Sequence, residues 1–237
     1  MEDTEKARRG EPMFDLPAVL VGLVALLAGI QLLRDFLPIP TDNWILELFA
    51  FVPDRLILEN GVPAYDGGWG AVVWTFLTYA FLHGGWSHLL LNAVMLAAVG
   101  RLVIARFGTA RFLALLAVSA VAGAAVHLAV AWGSDAPMIG ASGVVFGVLG
   151  AALRFAFVPP WMPIPSAIAA FRLPRVRGFV LALVVMNLIL VVFGAAPFGG
   201  GEGDVAWAAH LGGFLAGYLG FRMFDPPRRA PSRPWQV

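Results

Sequence analysis

The stretch PMIGASGVVFGVLGA (137–151) places one serine, Ser142, between glycines at the start of an otherwise apolar run. A hydroxyl there adds little to packing against lipid. A serine is a poor nucleophile near neutral pH and becomes a useful one beside a general base. His210, near the start of another apolar run, is the candidate base. No Asp or Glu lies inside these runs, so the arrangement available is a Ser–His dyad and not a Ser-His-Asp triad. His88 and Asn92, spaced i, i+4, share one helix face, and both can donate hydrogen bonds. A serine at a helix N-terminus also sits among unpaired backbone N–H groups at the positive end of the dipole. That helix-terminus geometry suits stabilisation of a developing oxyanion.

Plainer readings stand beside these. Small residues flank serines wherever membrane helices pack, the His88/Asn92 pair could be an interhelical hydrogen-bond staple, and His210 a satisfied core histidine. His127 has no polar neighbour at helical spacing and reads as structural or cavity-lining. Asn187 reads as a packing hydrogen-bonder. A metal site is disfavoured because the apolar runs lack the carboxylates that usually complete one. The chain has no cysteine, which excludes disulfides, thiolate catalysis and Cys-type zinc sites.

The elements that must position these groups are membrane helices. Of 237 residues 59% are hydrophobic and 13% charged, against about 25% charged in a soluble domain. Six runs, 16–33, 79–100, 112–134, 136–153, 178–201 and 205–221, are near the roughly 17–25 residues that a bilayer-crossing helix needs. The first is no cleavable signal, because an acidic, mixed-charge segment precedes it and no small-x-small site follows. Six crossings place both termini on one side. With the N-terminus cytoplasmic, that side holds Lys6, Arg8, Arg9, Arg101, Arg106, Arg111, Arg154, Arg172, Arg175, Arg177, Arg222, Arg228, Arg229 and Arg233, leaving Arg34 and Arg55 outside. Nine acids, Asp35, Asp42, Glu47, Asp54, Glu59, Asp66, Asp135, Glu202 and Asp204, fall on the outer side. This follows the positive-inside rule.

The expected fold class is therefore an all-α membrane protein, a six-helix bundle with a long outer loop between helices 1 and 2. Its parts are a short cytoplasmic tail (1–15), a membrane domain (16–224) and a second cytoplasmic tail (225–237). Within the loop, DNWILELFAFVPDRLI reads either as a helix lying in the interface or as a loop packed on the bundle. The proline-rich basic stretch after the fourth run reads as a cytoplasmic linker held near anionic headgroups. No internal repeat supports a transporter architecture. A net charge of +1 gives no reason to expect nucleic acid.

In this topology Ser142, His88, Asn92 and His210 lie at a similar shallow depth below the outer surface. Gly143, Gly147 and Ala151 recur every four residues in the fourth run, and Ala209, Gly213 and Gly217 do so in the sixth. Such small-xxx-small faces let helices approach closely in lipid. Ser142 and His210 each adjoin the first residue of their stripe.

Taken jointly these residues resemble the rhomboid family of intramembrane serine proteases. LTYAFLHGGWSHLLLNAVML (77–96) is similar to the family's F-x-H…H-x-x-x-N pattern, GASGVVFG (140–147) to G-x-S-G, and AWAAHLGGFLAGYLG (206–220) to A-H-x-x-G-x-x-x-G. Val144 distinguishes the middle block from the G-x-S-x-G elbow of soluble hydrolases. The resemblance implies Ser142 as nucleophile, His210 as general base, and the Ser142 N–H, His88 and Asn92 as oxyanion hole. Phe146 would pack against the catalytic histidine, and His83 would support the outer loop and the water-filled cavity. Gly140, Gly143, Gly213 and Gly217 would be supporting positions. It further implies no cofactor, single-span membrane-protein substrates entering laterally past the fifth helix, and a site opening to the outer side; the missing transit peptide and the compact six-span layout point to a bacterial inner membrane. Thr75 follows Trp74 where the family commonly has arginine, and Ile104 stands where it often has glutamate. Both bear on the scaffold. The alternative on the same scaffold is a non-catalytic binder or chaperone of membrane proteins.

Overall fold

The computed structural model describes residues 16–59, 61–159, 161–193 and 206–227. The tails 1–15 and 228–237, the end of the fifth apolar run, the start of the sixth, and Glu202 and Asp204 lie outside the described residues. What is described is predominantly helical. In chain order come α1 (Ala18–Asp35), α2 (Ile39–Phe49), a 3-10 turn (Pro53–Leu56) and a two-stranded hairpin of β1 (Leu58–Glu59) and β2 (Val62–Pro63). Then follow α3 (Gly68–Thr78), a 3-10 turn (Tyr79–Phe81), α4 (Trp86–Phe107), α5 (Thr109–Val130), α6 (Ser142–Leu153), α7 (Ala167–Phe171), α8 (Pro174–Phe193) and α9 (Trp207–Phe224). Three of the described helices, α1, α4 and α5, are long and apolar enough to cross a membrane, and α6 is a shorter apolar helix.

The helices follow the apolar runs, with shifted ends where backbone chemistry overrides hydropathy. The second run starts at Tyr79, but its helix starts at Trp86, because the chain leaves helical geometry at Leu82 and Gly85. The fourth run starts at Ala136, but its helix starts at Ser142. Before it, Met138 pairs with Phe51 through two backbone hydrogen bonds of 2.8 and 3.1 Å, and Gly140 takes φ +115°, a region closed to most side chains. At ~1.5 Å per residue α6 is then ~18 Å long, against ~33 Å for α4 and α5. It is the central helix, with every residue after Ser142 buried.

α9 lies against α6 at backbone contact. A Cβ on Gly213 would collide with the Gly143 carbonyl oxygen, and one on Gly217 with that of Gly147. The same face of α6 continues to Gly150, where a Cβ would meet the Phe214 carbonyl. Below the site, Leu96, Val103, Phe112, Leu115, Val148 and Phe221 form the main apolar core. Ile104 is buried there, so packing replaces whatever a carboxylate would do at that position. Arg106 forms a two-pronged ion pair with Asp225 at 2.7 and 3.0 Å, tying the end of α4 to the chain just past α9.

The segment between α1 and α4 divides the sequence expectation. Its first half, α2, is a helix with no buried residue and with Ile39 and Trp44 exposed. Its second half dives inward at Ala50–Phe51–Val52, all buried. Tyr65 Oη accepts from the Val52 N–H at 2.8 Å and donates to the Val52 carbonyl at 3.0 Å. Trp74 donates to the Leu48 carbonyl, and Thr78 to that of Phe49. Thr75 is fully buried and turns its hydroxyl back onto the Ala71 carbonyl. The two basic residues that break the charge pattern each have a partner here. Arg34 grips Asp42 with two nitrogens, at 2.6 and 3.1 Å, and donates to the His83 carbonyl at 2.7 Å. Arg55 donates to the Glu47 carbonyl and lies over the Tyr65 ring.

Candidate active site

Ser142 is the first residue of α6, preceded by the left-handed Gly140 and by Ala141. First-turn N–H groups have no acceptor within their helix, so the serine's own amide is available to an acceptor outside α6. The strand-like approach is fixed from behind. The Gly140 N–H donates to the Tyr79 carbonyl at 3.0 Å, and the Ala141 N–H donates to His83 Nε2 at 3.4 Å. Tyr79 itself is buried and donates to the Ala120 carbonyl.

His210 is buried on the first turn of α9. Its Nε2 lies 2.8 Å from Ser142 Oγ. Phe146, one turn along α6 from the serine, stacks on the imidazole with centroids 4.4 Å apart and planes 4° from parallel. The close α6–α9 approach brings the pair together, since the backbone contact between Gly143, next to Ser142, and Gly213, one turn along α9 from His210, lies beside it.

The protonation of the imidazole follows from hydrogen-bond logic. On its far side, His210 Nδ1 lies 2.6 Å from Asn187 Oδ1 on α8. Asn187 Nδ2 donates to the Leu183 carbonyl at 2.9 Å, which fixes the amide with its oxygen toward the ring. That oxygen can only accept, so Nδ1 carries the proton and Nε2 presents a lone pair to the Ser142 hydroxyl.

His88 lies on the first turn of α4 and accepts from the Gly84 N–H through Nδ1 at 3.5 Å. Its Nε2 edge faces Gly140, where a Cβ would meet the ring at 2.7 Å. The His83 ring meets it edge-on at 5.1 Å. Asn92 is buried and donates one amide proton to the His88 carbonyl at 3.1 Å within its own helix, leaving the second for another acceptor.

The structure thus brings Ser142, His210 and Phe146 together and sets His88, His83 and Gly140 against one another beside them. Asn92 donates to the His88 carbonyl within α4. His127 lines a cavity of about 300 Å³ with Met138 and Trp207. No cluster of His, Asp or Glu able to hold a metal occurs among the described residues. The residue that sequence reading undervalued is Asn187. It does bond within its own helix, but its other end reaches His210. The available signal was its being the one polar side chain in the apolar run 178–193.

The chain matches a family model described as Rhomboid domain over residues 70–224, more than half its length. It is 31% identical over 156 residues to RHOMBOID-like protein 5 of Arabidopsis thaliana, covering 65% of this chain and 45% of that protein. Its identity to Rhomboid protease GluP of Bacillus subtilis is 28% over 170 residues, covering 72% of this chain and 29% of that one. To the uncharacterized protein Rv1337 of Mycobacterium tuberculosis it is 30% over 193 residues, covering 78% and 72%. The chain spans less than half the length of the first two relatives.

Proposed function

The chain belongs to the rhomboid family of membrane proteins, and we propose that it is an intramembrane serine endopeptidase cleaving membrane-anchored proteins in or near their span. The observation that carries this reading is the 2.8 Å approach of His210 Nε2 to Ser142 Oγ at the first residue of a buried helix. A protease among its relatives supports it.

In the proposed mechanism Ser142 Oγ attacks the scissile carbonyl carbon while its proton passes to His210 Nε2. The Ser142 N–H, His88 and the free proton of Asn92 donate to the oxyanion. The imidazolium then gives its proton to the leaving amine as the C–N bond breaks. Water, deprotonated by the same nitrogen, releases the acyl group and restores the hydroxyl. No cofactor enters.

The proposed setting is a six-crossing domain over residues 16–224, with α1, α4, α5, α6, α8 and α9 as the crossings. Both ends face the cytoplasm, and the Ser142 end opens outward from a bacterial inner membrane. Substrates are single-span proteins approaching through the bilayer. Gly143, Gly213 and Gly217 keep the two reactive helices at contact distance, Gly140 lets the His88 ring lie against the segment before the serine, and His83 braces that segment.

The test is labelling of the detergent-solubilised protein by a fluorophosphonate probe. Wild type should be labelled and Ser142→Ala should not. Substrate association with no labelling of wild type would instead indicate a non-catalytic binder.

A further inference from the structure

We propose that Asn187 is the third member of the reactive group, a positioning residue that fixes the tautomer and plane of His210. This rests on the reading of Ser142 and His210 as nucleophile and base. An unpinned imidazole exchanges its proton between Nδ1 and Nε2, and only the form with a bare Nε2 can take the proton of a serine. In serine proteases with a third residue, a buried acceptor on Nδ1 holds that form and stabilises the imidazolium. Asn187 Oδ1 stands at the corresponding place, 2.6 Å from Nδ1. Its own orientation is set by the bond from Nδ2 to the Leu183 carbonyl, and Phe146 restrains the ring plane from one face.

The neutral amide differs from a carboxylate in a way suited to its surroundings. It selects the tautomer without placing an unpaired charge in an apolar bundle when His210 is neutral.

The location of Asn187 adds a consequence. α8 meets the rest of the bundle along a narrow stripe. Val180, Leu183, Met186 and Asn187 are partly covered, while Leu181, Val184, Val185 and Leu188 are exposed. The acceptor for Nδ1 is therefore borne by a lightly packed helix, and displacement of α8 would release the histidine from its pinned state.

Two measurements test this. In the Ser142→Ala background, which needs no activity, the ring ¹⁵N shifts of labelled His210 should show a protonated Nδ1 and a bare Nε2. Adding Asn187→Leu should give a mixture of tautomers. In the active protein, Asn187→Leu should lower kcat and the fluorophosphonate labelling rate by roughly tenfold to a hundredfold with KM nearly unchanged. Asn187→Asp, which keeps an acceptor oxygen, should recover most of that loss. The proposal is overturned if the ring tautomer is the same with and without Asn187. It is equally overturned if Asn187→Leu labels at the wild-type rate. An inert wild type whose His210 nonetheless shows the Asn187-dependent tautomer would count against the protease reading alone.

Discussion

The carbonyl oxygen of Gly143 occupies the space that a Cβ on Gly213 would need. Gly213 lies one turn along α9 from His210, and Gly143 directly follows Ser142, so this contact sets the distance across which the hydroxyl and the imidazole meet.

Gly213→Ala must therefore push α9 off α6. Overpacking of a tight interior costs about 1–3 kcal/mol, and a separation of even half an ångström lengthens the 2.8 Å bond. Thermal unfolding in detergent should show the loss, together with a severe fall in probe labelling. Gly22→Ala, where nothing lies within 4 Å of a new Cβ, should leave both unchanged.

Ser142→Ala should remove peptide cleavage and probe labelling altogether, at least a thousandfold in rate, with helicity and melting temperature preserved. His210→Ala should be nearly as damaging, and the double variant scarcely worse than either. Additive losses from the two substitutions would show that the residues do not act as a unit.

Gly140→Ala carries two penalties. The residue sits at φ +115°, and a methyl group there collides with the His88 ring. Strain of this kind costs about 1–3 kcal/mol, and displacement of His88 should lower kcat more than it raises KM. Kinetics on a single-span substrate in proteoliposomes check the split.

Arg34 joins α1 to Asp42 and to the carbonyl of His83. Arg34→Met leaves a partly buried carboxylate and a backbone carbonyl without their donor, and should cost about 3 kcal/mol in detergent unfolding. Arg34→Lys should recover little of this, because one ammonium cannot reproduce the fork.

Much of this architecture is readable from residue types. Uncharged runs locate the long helices because backbone polar groups in lipid must be satisfied locally. The four-residue spacing of Gly143, Gly147 and Ala151 against Ala209, Gly213 and Gly217 marks the faces that touch, because only residues without a bulky side chain permit backbone contact. Helix ends were less visible. Ala136–Ala141 is as apolar as a helix, but the pairing of Met138 with Phe51 and the backbone of Gly140 hold it extended. That pairing joins residues far apart in sequence, so no local pattern announces it.

The sequence by itself determined which side chains are available: one serine at the mouth of a glycine-rich helix, histidines near it, and no carboxylate in the apolar runs. Tertiary structure alone decided which nitrogen of His210 faces Ser142, and that Asn187, on a helix with no sequence motif, faces the other. A hydrogen bond between α8 and α9 depends on the relative placement of two helices to within a few tenths of an ångström, and the periodicity of either helix carries no information at that scale.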